Sequence, residues 1–319
     1  MTAPLRAPRT LGSLTISPLC LGGNAFGWTA DEAASFAVLD AYAGGGGNFI
    51  DTADVYSAWV EGNRGGESET IIGRWLARRG RREEIVVATK GGGHPDFKGL
   101  AAETLKRAAD ESLRRLGTDH IDLYYTHFDD ESVPVSEIIS ALDELVKAGK
   151  VREIGASNIS PERLAASLAF SDSEGLARYV AVQPHYNLVS RETYEGELAA
   201  VAARNGLAAM PYFALASGFL TGKYRPDTPV ESARSGRAGE YLATERGRRV
   251  LAALDRIAAD RALSPATIAL AWLAAQPTVA APIASARTPD QLPPLLALSG
   301  VMLTESELAS LSAASTPDV

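Results

Sequence analysis

The sequence predicts an α/β fold in which eight parallel strands close into a (β/α)8 barrel, also called a TIM barrel. One observation is that short runs rich in Val, Ile and Leu alternate with amphipathic helical stretches along the whole chain. A second is that these runs do not alternate apolar with polar residues, which is typical of strands buried on both faces, as in a parallel sheet. Eight strand–helix units in succession are also the number that closes a barrel.

The predicted elements follow one another in a regular order. The strands are expected at residues 18–22, 48–51, 85–90, 121–126, 152–156, 180–183, 207–213 and 279–283. The helices are expected at residues 31–43, 67–79, 100–116, 134–148, 160–170, 191–204, 247–276 and 288–297. Ser160 and Ser264 each place a capping hydroxyl directly before a proline, a pattern typical of a helix start.

A doubly wound dinucleotide-binding fold is the main alternative to the barrel. That fold normally carries the pattern G-x-G-x-x-G after its first strand, where the glycines let the backbone approach a pyrophosphate. The sequence contains no such pattern. The barrel is therefore favoured, with residues 1–319 as a single domain.

Three segments lie outside the regular repeat. Residues 10–16 are expected to form an N-terminal β-hairpin that plugs the bottom of the barrel, and residues 303–313 an additional C-terminal helix. Residues 225–241, rich in Pro, Ser, Gly and Arg, are expected to form a long irregular loop after the seventh strand. Such a loop would emerge at the C-terminal face, where barrel enzymes build their active sites.

Composition and charge narrow the classes of function. The chain is 46% hydrophobic and 22% charged, which is ordinary for a globular protein, and its net charge of −8 argues against a nucleic-acid partner. Cys20 is its only cysteine, so no disulfide framework is expected and a reducing compartment is favoured. No apolar run approaches the ~20 residues of a membrane helix. We expect a cytoplasmic protein without a membrane partner, and the sequence leaves a homo-oligomer open.

Four residues with chemical potential stand at the ends of adjacent predicted strands. Asp51 ends the second strand and Tyr56 follows in the next loop, while Lys90 and His127 end the third and fourth. Each of these could be structural when taken alone. Because the C-terminal ends of parallel barrel strands meet at one rim, we expect an acid, a phenol, an amine and an imidazole to converge there.

Several segments resemble the aldo-keto reductase superfamily, over about residues 10–315. They are NFIDTADVY, VVATKGG, DLYYTH, EIGASN, QPHYNLVSRE, PYFALASGFLTGKY and ASARTPDQL, in this order. The resemblance implies a barrel that binds NADP(H) at its C-terminal rim and reduces aldehyde or ketone carbonyls. It also implies a catalytic tetrad at Asp51, Tyr56, Lys90 and His127.

The tetrad has a clear division of roles under this resemblance. Tyr56 would give a proton to the carbonyl oxygen, and the Lys90 ammonium would lower the pKa of the phenol from its usual value near ~10. Asp51 would pair with Lys90, and His127 would donate a hydrogen bond to the carbonyl oxygen. Trp28 and Trp59 are expected to form walls of the substrate pocket together with Tyr56 and His127.

The resemblance also assigns contacts with the cofactor. Ser157, Asn158 and Gln183 are expected to hold the nicotinamide carboxamide, and Tyr212 to stack on its ring. The remaining cofactor contacts are expected at Gly22, Gly23, Asn24, Asp51, Phe213, Leu215, Ser217, Gly218, Leu220, Lys223, Ser285, Arg287 and Gln291. Arg287 matches the site of the 2'-phosphate, which favours NADP(H) over NAD(H) because a guanidinium suits a phosphate dianion.

Two other functions are compatible with parts of this pattern. One is a redox-sensing regulatory subunit that binds the cofactor with little catalysis. The other is a metal-dependent barrel hydrolase that uses Asp51 and His127. It leaves Tyr56 and Lys90 unexplained, and the remaining histidines share no metal-ligand spacing with one another or with Cys20. No metal is expected.

Overall fold

The computed structural model describes residues 8–225, 230 and 235–317, and strands alternate with helices over this part of the chain. The strands are Arg9–Leu11 (β1), Leu14–Ile16 (β2), Cys20–Gly22 (β3), Phe49–Asp51 (β4), Val86–Gly91 (β5), Ile121–Thr126 (β6), Val151–Ser157 (β7), Tyr179–Gln183 (β8), Ala208–Ala209 (β9) and Ile283–Ala284 (β10). The predicted order of strands is confirmed. The strands predicted at 207–213 and at 279–283 are each shorter than expected, with two residues.

The strands β3 to β10 form one parallel sheet of eight strands, in which β3 to β9 pair in chain order and β10 pairs with β3. The sheet closes between β9 and the segment before β10. The N–H of Ala209 donates to the carbonyl of Thr278 at 2.8 Å, and the N–H of Ala280 donates to the carbonyl of Ala209 at 3.0 Å. The predicted (β/α)8 barrel is therefore confirmed.

Helices surround this barrel. They are Glu32–Gly44 (α1), Glu67–Arg79 (α2), Ala102–Leu116 (α3), Val135–Lys147 (α4), Pro161–Glu174 (α5), Glu197–Arg204 (α6), Ser235–Ala243 (α7), Glu245–Arg261 (α8), Pro265–Ala274 (α9), Pro293–Leu296 (α10) and Glu305–Ala314 (α11). The helix α5 begins as predicted, with the Ser160 hydroxyl accepting from the N–H of Arg163. None of the described helices combines the length and the apolar character needed to cross a membrane.

Two helix predictions were wrong because a helix break was overlooked. The predicted helix at 247–276 is two helices, since Ala262 takes a left-handed φ of 52° and Ser264 caps a new helix at Pro265. The predicted helix at 191–204 begins only at Glu197, after Gly196 with a φ of 104°. Glycine populates that backbone region at little cost, whereas a helix cannot pass through it.

Two further segments near the C-terminal face differ from their predictions. Residues 288–297 form a 3-10 turn, Pro289–Gln291, followed by the single turn α10. Prolines at 293 and 294 lack the N–H groups that would join the two into one helix. Within the predicted irregular loop at 225–241, residues 226–229 and 231–234 lie outside the described residues, and the part from Ser235 onward is the helix α7.

The predicted N-terminal hairpin is present and occupies the N-terminal end of the barrel. Leu11, Leu14 and Ile16 are buried in the same apolar cluster as inward-facing barrel residues such as Phe49. The N–H of Ser13 also donates to the Glu153 carboxylate near the start of β7, at 2.6 Å. The hairpin closes the end of the barrel opposite to the strand ends that carry Asp51 and Lys90.

The predicted C-terminal helix is also present, as α11, and packs on α8. A two-pronged ion pair joins them, because Nε and Nη2 of Arg261 donate to the two Glu307 oxygens at 2.5 and 2.6 Å. The Arg261 guanidinium lowers the pKa of Glu307 to about 2.

Leu11→Ala should test the role of the hairpin as a plug. Leu11 is 1% exposed, and truncating a buried leucine removes apolar contacts and leaves a cavity. We expect the free energy of unfolding, measured by urea denaturation, to fall by about 2 to 5 kcal/mol. Thr10→Ala changes the exposed neighbour on the same strand and should have almost no effect. Equal stability of the two variants would contradict this role.

Candidate active site

The side chains predicted to be catalytic come from three neighbouring strands of the barrel. Asp51 is the last residue of β4, Lys90 lies one residue before the end of β5, and His127 directly follows β6. Tyr56 lies in the loop after β4. Because the strands run parallel and pair in this order, all four residues lie at the C-terminal rim of the barrel.

Lys90 is the most deeply buried charge of the group, with 1% of its side chain exposed. Its Nζ donates to Asp51 Oδ2 at 2.7 Å, to the carbonyl of Thr52 at 2.7 Å and to the Tyr56 hydroxyl at 2.9 Å. An ammonium has three donors, and here each one has a partner. The amine is therefore fixed in position and points at the phenol oxygen.

Asp51 is held by both of its carboxylate oxygens. Oδ2 accepts from Lys90, and the Tyr56 hydroxyl lies 3.3 Å away from the same oxygen. Oδ1 accepts from the Gln183 amide at 2.8 Å, which reaches across the barrel from β8. The resemblance assigned Gln183 to the nicotinamide, and in the structure its amide nitrogen supports Asp51.

Burial and neighbouring charges determine the protonation of Tyr56 and Lys90. Burial raises the pKa of Tyr56 to about 12, although the Lys90 ammonium lowers it in part. The lowering by Lys90 that the sequence predicted is present, but burial and the Asp51 charge outweigh it, so the pKa stays above the ordinary value of a phenol. Burial by itself would lower the pKa of Lys90, but Asp51 and Tyr56 outweigh it and the pKa is raised. At neutral pH the phenol keeps its proton and the amine stays charged.

His127 is buried at the cavity wall with 8% of its surface exposed. Burial, together with the Lys90 charge, lowers its pKa well below the usual value, so the imidazole is neutral. Its Nδ1 is buried and has no hydrogen-bond partner among the described residues. The ring stacks on Phe128 with centroids 4.4 Å apart.

A cavity of about 1190 Å³ opens at this rim. The predicted site residues that line it are Gly22, Asn24, Trp28, Asp51, Tyr56, Trp59, His127, Ser157, Asn158, Gln183, Tyr212, Phe213, Leu215, Ser217, Gly218, Lys223, Ser285, Arg287 and Gln291. Lys90 lies beneath the lining. Gly23 and Leu220 do not line the cavity, and the Leu220 side chain is fully buried in the core.

Polar side chains beside His127 form a connected chain. The Asn158 amide donates to the carbonyl of His127 at 2.8 Å, and the Tyr212 hydroxyl donates to the Asn158 oxygen at 2.8 Å. The Ser157 hydroxyl donates to the carbonyl of Gln183 at 2.9 Å. These bonds hold the ends of β7 and β8 and the segment after β9 around the cavity.

The segment after β9 has an unusual backbone. Phe213, Ala216 and Ser217 have positive φ angles of 53°, 47° and 57°, and Gly218 follows with 93°. Side chains other than glycine rarely adopt this region, and such strain is concentrated at functional sites. Phe213, Ser217 and Gly218 line the cavity, so the strained turn exposes backbone to whatever occupies it.

The other end of the cavity fits a phosphate-bearing cofactor. Arg287 is exposed there, and no described residue forms an ion pair with its guanidinium. Its N–H donates to Gln291 Oε1 at 2.9 Å, which fixes the backbone of this turn. A Cβ at Gly22 would lie only 2.6 Å from the Ser285 hydroxyl, so the glycine keeps the wall beside Ser285 open. The residues present therefore suit a nicotinamide dinucleotide.

Sequence reasoning missed several residues of the cavity wall. Phe128 directly follows His127 and is 51% exposed, and its position next to a candidate catalytic residue was the available signal. Val55 and Thr29 also line the cavity. Arg237 lies on the helix α7 with its guanidinium 5.2 Å from the Phe213 ring centroid. The sequence placed residues 225–241 at the C-terminal face but did not single out Arg237, which lines the cavity.

Comparisons with known proteins agree with this site. The profile of the Aldo/keto reductase family matches residues 18–316. An uncharacterized oxidoreductase of Bacillus subtilis is 35% identical over 88% of this chain and 86% of its own. Norsolorinic acid reductase of Emericella nidulans is 33% identical over 93% of this chain and 78% of its own. An aryl-alcohol dehydrogenase of Pestalotiopsis microspora is 29% identical over 94% of this chain and 79% of its own.

The match to the family profile extends over nearly the whole barrel and includes every element that contributes to the cavity. These relatives are named as oxidoreductases, reductases or dehydrogenases. The resemblance expected from the sequence is thereby confirmed, and the chain belongs to the aldo/keto reductase family, whose members are oxidoreductases.

Proposed function

We propose that this protein reduces aldehyde or ketone carbonyls to alcohols with NADP(H), and that Tyr56 is its proton donor. The observation that carries the proposal is the contact of the Tyr56 hydroxyl with the Lys90 ammonium, at 2.9 Å, on the floor of the cavity. A buried amine and carboxylate beside a cavity phenol are arranged for proton transfer.

Side chains of this protein would supply the proton and stabilise the charges that develop during the reaction. A reduced nicotinamide bound in the cavity would supply hydride to the carbonyl carbon. Tyr56, protonated at neutral pH, gives its proton to the carbonyl oxygen, and the Lys90 ammonium stabilises the phenolate that remains. Asp51 holds Lys90 in place at 2.7 Å. The neutral His127 donates a ring N–H to the carbonyl oxygen as negative charge develops on it.

The cofactor would be held along the length of the cavity. Tyr212 would stack on the nicotinamide, beside Ser157 and Asn158. The strained turn at Ser217 and Gly218 would present backbone to the pyrophosphate. Arg287, at the far end, would bind the 2'-phosphate that distinguishes NADP(H) from NAD(H).

Aromatic side chains above the catalytic group favour an aromatic substrate. The rings of Trp28 and Trp59 meet edge to face, with centroids 5.6 Å apart, and Tyr56 lies 6.2 Å from Trp59. Phe128 stacks on His127. Trp59 and Phe128 are each 51% exposed, so the core does not explain them. Together with the relative named an aryl-alcohol dehydrogenase, these walls support aryl aldehydes or ketones as substrates.

Neither alternative function has a specific observation in its favour. Asp51 uses both carboxylate oxygens for Lys90 and Gln183, which leaves it poorly placed as a metal ligand. Within residues 8–225, 230 and 235–317, no group of His, Cys, Asp and Glu side chains is placed to hold a metal. Turnover of carbonyl compounds would separate the reductase from a redox-sensing subunit that binds the cofactor with little catalysis.

Tyr56→Phe should abolish reduction without weakening cofactor binding. The variant removes the proton donor, and loss of a general acid typically costs ~10² to 10⁴ in kcat. The measurement is NADPH oxidation with an aromatic aldehyde, beside titration of NADPH binding by fluorescence. Tyr194→Phe removes a hydroxyl that contacts Thr278 away from the cavity and should retain full activity. A Tyr56→Phe variant with normal kcat would refute the assignment.

Arg287→Leu should weaken binding of NADPH but not of NADH. Loss of a charge-assisted contact with the 2'-phosphate is expected to raise Kd for NADPH about tenfold or more. Both constants are measured by titration. Arg81→Leu is the matched control, because Arg81 is an exposed arginine paired with Glu84 outside the cavity. An equal increase in Kd for NADPH and NADH would show that Arg287 does not bind the 2'-phosphate.

Phe128→Ala should discriminate between aromatic and aliphatic substrates. Aromatic ring pairs contribute about 0.5 to 1.5 kcal/mol, so kcat/KM for benzaldehyde should fall roughly two- to tenfold while that for propanal changes little. Met302→Ala changes another exposed apolar side chain, 56% exposed and outside the cavity lining. It should affect neither substrate. Parallel losses on both aldehydes would argue against an aromatic binding wall.

A further inference from the structure

Two buried polar atoms without hydrogen-bond partners among the described residues lie close to the position that a Cβ would take on Gly93. They are Oδ1 of Asp54 and Nδ1 of His127. The position that a Cβ would take on Gly93 is 2.9 Å from Nδ1 of His127 and 3.3 Å from Oδ1 of Asp54. Cγ1 of Val55 lies 3.2 Å from the same position, and since residue 93 is glycine, no side chain of its own enters the space that the three groups share.

The position of Asp54 is set by its backbone and by its other oxygen. Its N–H donates to the carbonyl of Lys90 at 3.0 Å, and Oδ2 accepts from the N–H of His94 at 3.2 Å. The residue is completely buried. An unpaired polar atom in such a place is costly and rare, and the proposed reaction gives Asp54 no role.

The surroundings of Asp54 favour its protonated form up to neutral pH. Burial and then the neighbouring charge of Glu69, on α2, raise its pKa to about 7, while Arg115, on α3, lowers it in part. Glu69 is itself ionically paired with Arg115 at 2.6 Å.

Other titratable groups surround the Asp54–His127 pair. Tyr124, on β6, is a buried phenol whose pKa is raised by burial and by the charge of Asp54. The backbone N–H groups of His94 and Gly93 lower the pKa of Asp54. Lys90, on β5, acts on His127, where its charge adds to burial in keeping the imidazole neutral.

A neutral imidazole carries one proton, and the partner of each nitrogen decides where it resides. His127 lines the cavity, and Nδ1 is the nitrogen buried away from it. Nε2 is therefore the nitrogen that a substrate carbonyl can reach. Donation to that carbonyl requires the proton on Nε2, and a hydrogen bond accepted by Nδ1 favours that tautomer.

We propose that Asp54 is a positioning residue for His127: its protonated carboxyl donates through one bridging water molecule to Nδ1, beside Gly93, and so keeps the ring proton on Nε2. The proposal rests on the proposed reductase function for its catalytic consequence. Ionised Asp54 becomes an acceptor, so the ring proton moves to Nδ1. Nε2 then has no proton to donate to the carbonyl oxygen.

The tautomer of His127 can be measured without any turnover. The chain has four histidines, so the ¹⁵N spectrum of the full-length protein labelled at histidine is simple, and the His127→Asn variant assigns the signals. We expect the Nε2–H tautomer at pH 6 and a shift towards Nδ1–H as pH rises through about 7. A predominant Nδ1–H tautomer at pH 6, or no change up to pH 9, would overturn the proposal.

Asp54→Asn and Asp54→Leu test whether the hydrogen-bond donor at this position matters, or only the shape of the side chain. The asparagine amide oxygen can still accept from His94, and its NH₂ group can donate to the bridging water molecule at every pH. In this variant we expect the Nε2–H tautomer throughout. We also expect kcat/KM for reduction to lose the decline that the unsubstituted protein shows above pH about 7. At pH 6 we expect kcat of the Asp54→Leu variant to be about tenfold lower. We also expect its His127 ring to show both neutral tautomers.

Gly93→Ala gives a second, independent variant. Its Cβ would enter the gap 2.9 Å from Nδ1 and should uncouple the tautomer from Asp54. Asp40→Asn, an exposed carboxylate on α1, is the control and should change neither spectrum nor pH profile. If Asp54→Asn keeps the pH profile and the tautomer change of the unsubstituted protein, the proposal is wrong. If the tautomers behave as expected but no carbonyl is reduced, the proposed function fails and the Asp54–His127 coupling stands.

Discussion

The buried ion pair between Lys90 and Asp51 is the constraint on which the rest of the site depends. Both side chains are almost fully buried, and their atoms lie 2.7 Å apart. A buried charge is tolerated only when it is paired and its remaining donors are satisfied. Lys90 meets this condition with Asp51, the carbonyl of Thr52 and the hydroxyl of Tyr56. The third of these contacts faces the cavity, so the requirement that stabilises the amine also places it against the phenol.

Burial and the Lys90 charge together determine the protonation of His127 and Tyr56. The ammonium disfavours a proton on His127, and burial acts in the same direction, so the ring is neutral. For Tyr56, burial raises the pKa by more than the ammonium lowers it. The resting site therefore holds a protonated phenol and a neutral imidazole, the two forms needed to give a proton and a hydrogen bond to a carbonyl oxygen.

The barrel brings residues from other strands to the same rim and so extends the site beyond the tetrad. Strands β4, β5 and β6 bring the tetrad to one rim, and β8 adds Gln183, which supports Asp51 from the far side. The strained turn after β9 and the exposed Arg287 extend the cavity away from the tetrad. The hairpin closes the opposite end with Leu11, Leu14 and Ile16, so the reactive rim is the open end of the barrel.

The sequence by itself determined the barrel, the hairpin, the terminal helix and the positions of the tetrad along the chain. The pattern of apolar residues indicates which segments are buried, and residues that end parallel strands lie at the same rim of a barrel. The break before Pro265 was marked by the Ser264 cap and was overlooked, whereas how α7 approaches the cavity depends on packing between distant segments. Only the tertiary structure decided that Gln183 supports Asp51, that burial of Tyr56 outweighs Lys90, and that Asp54 and His127 both approach Gly93. Each of these depends on distances between side chains that are set when the barrel closes, and a linear sequence carries no record of them.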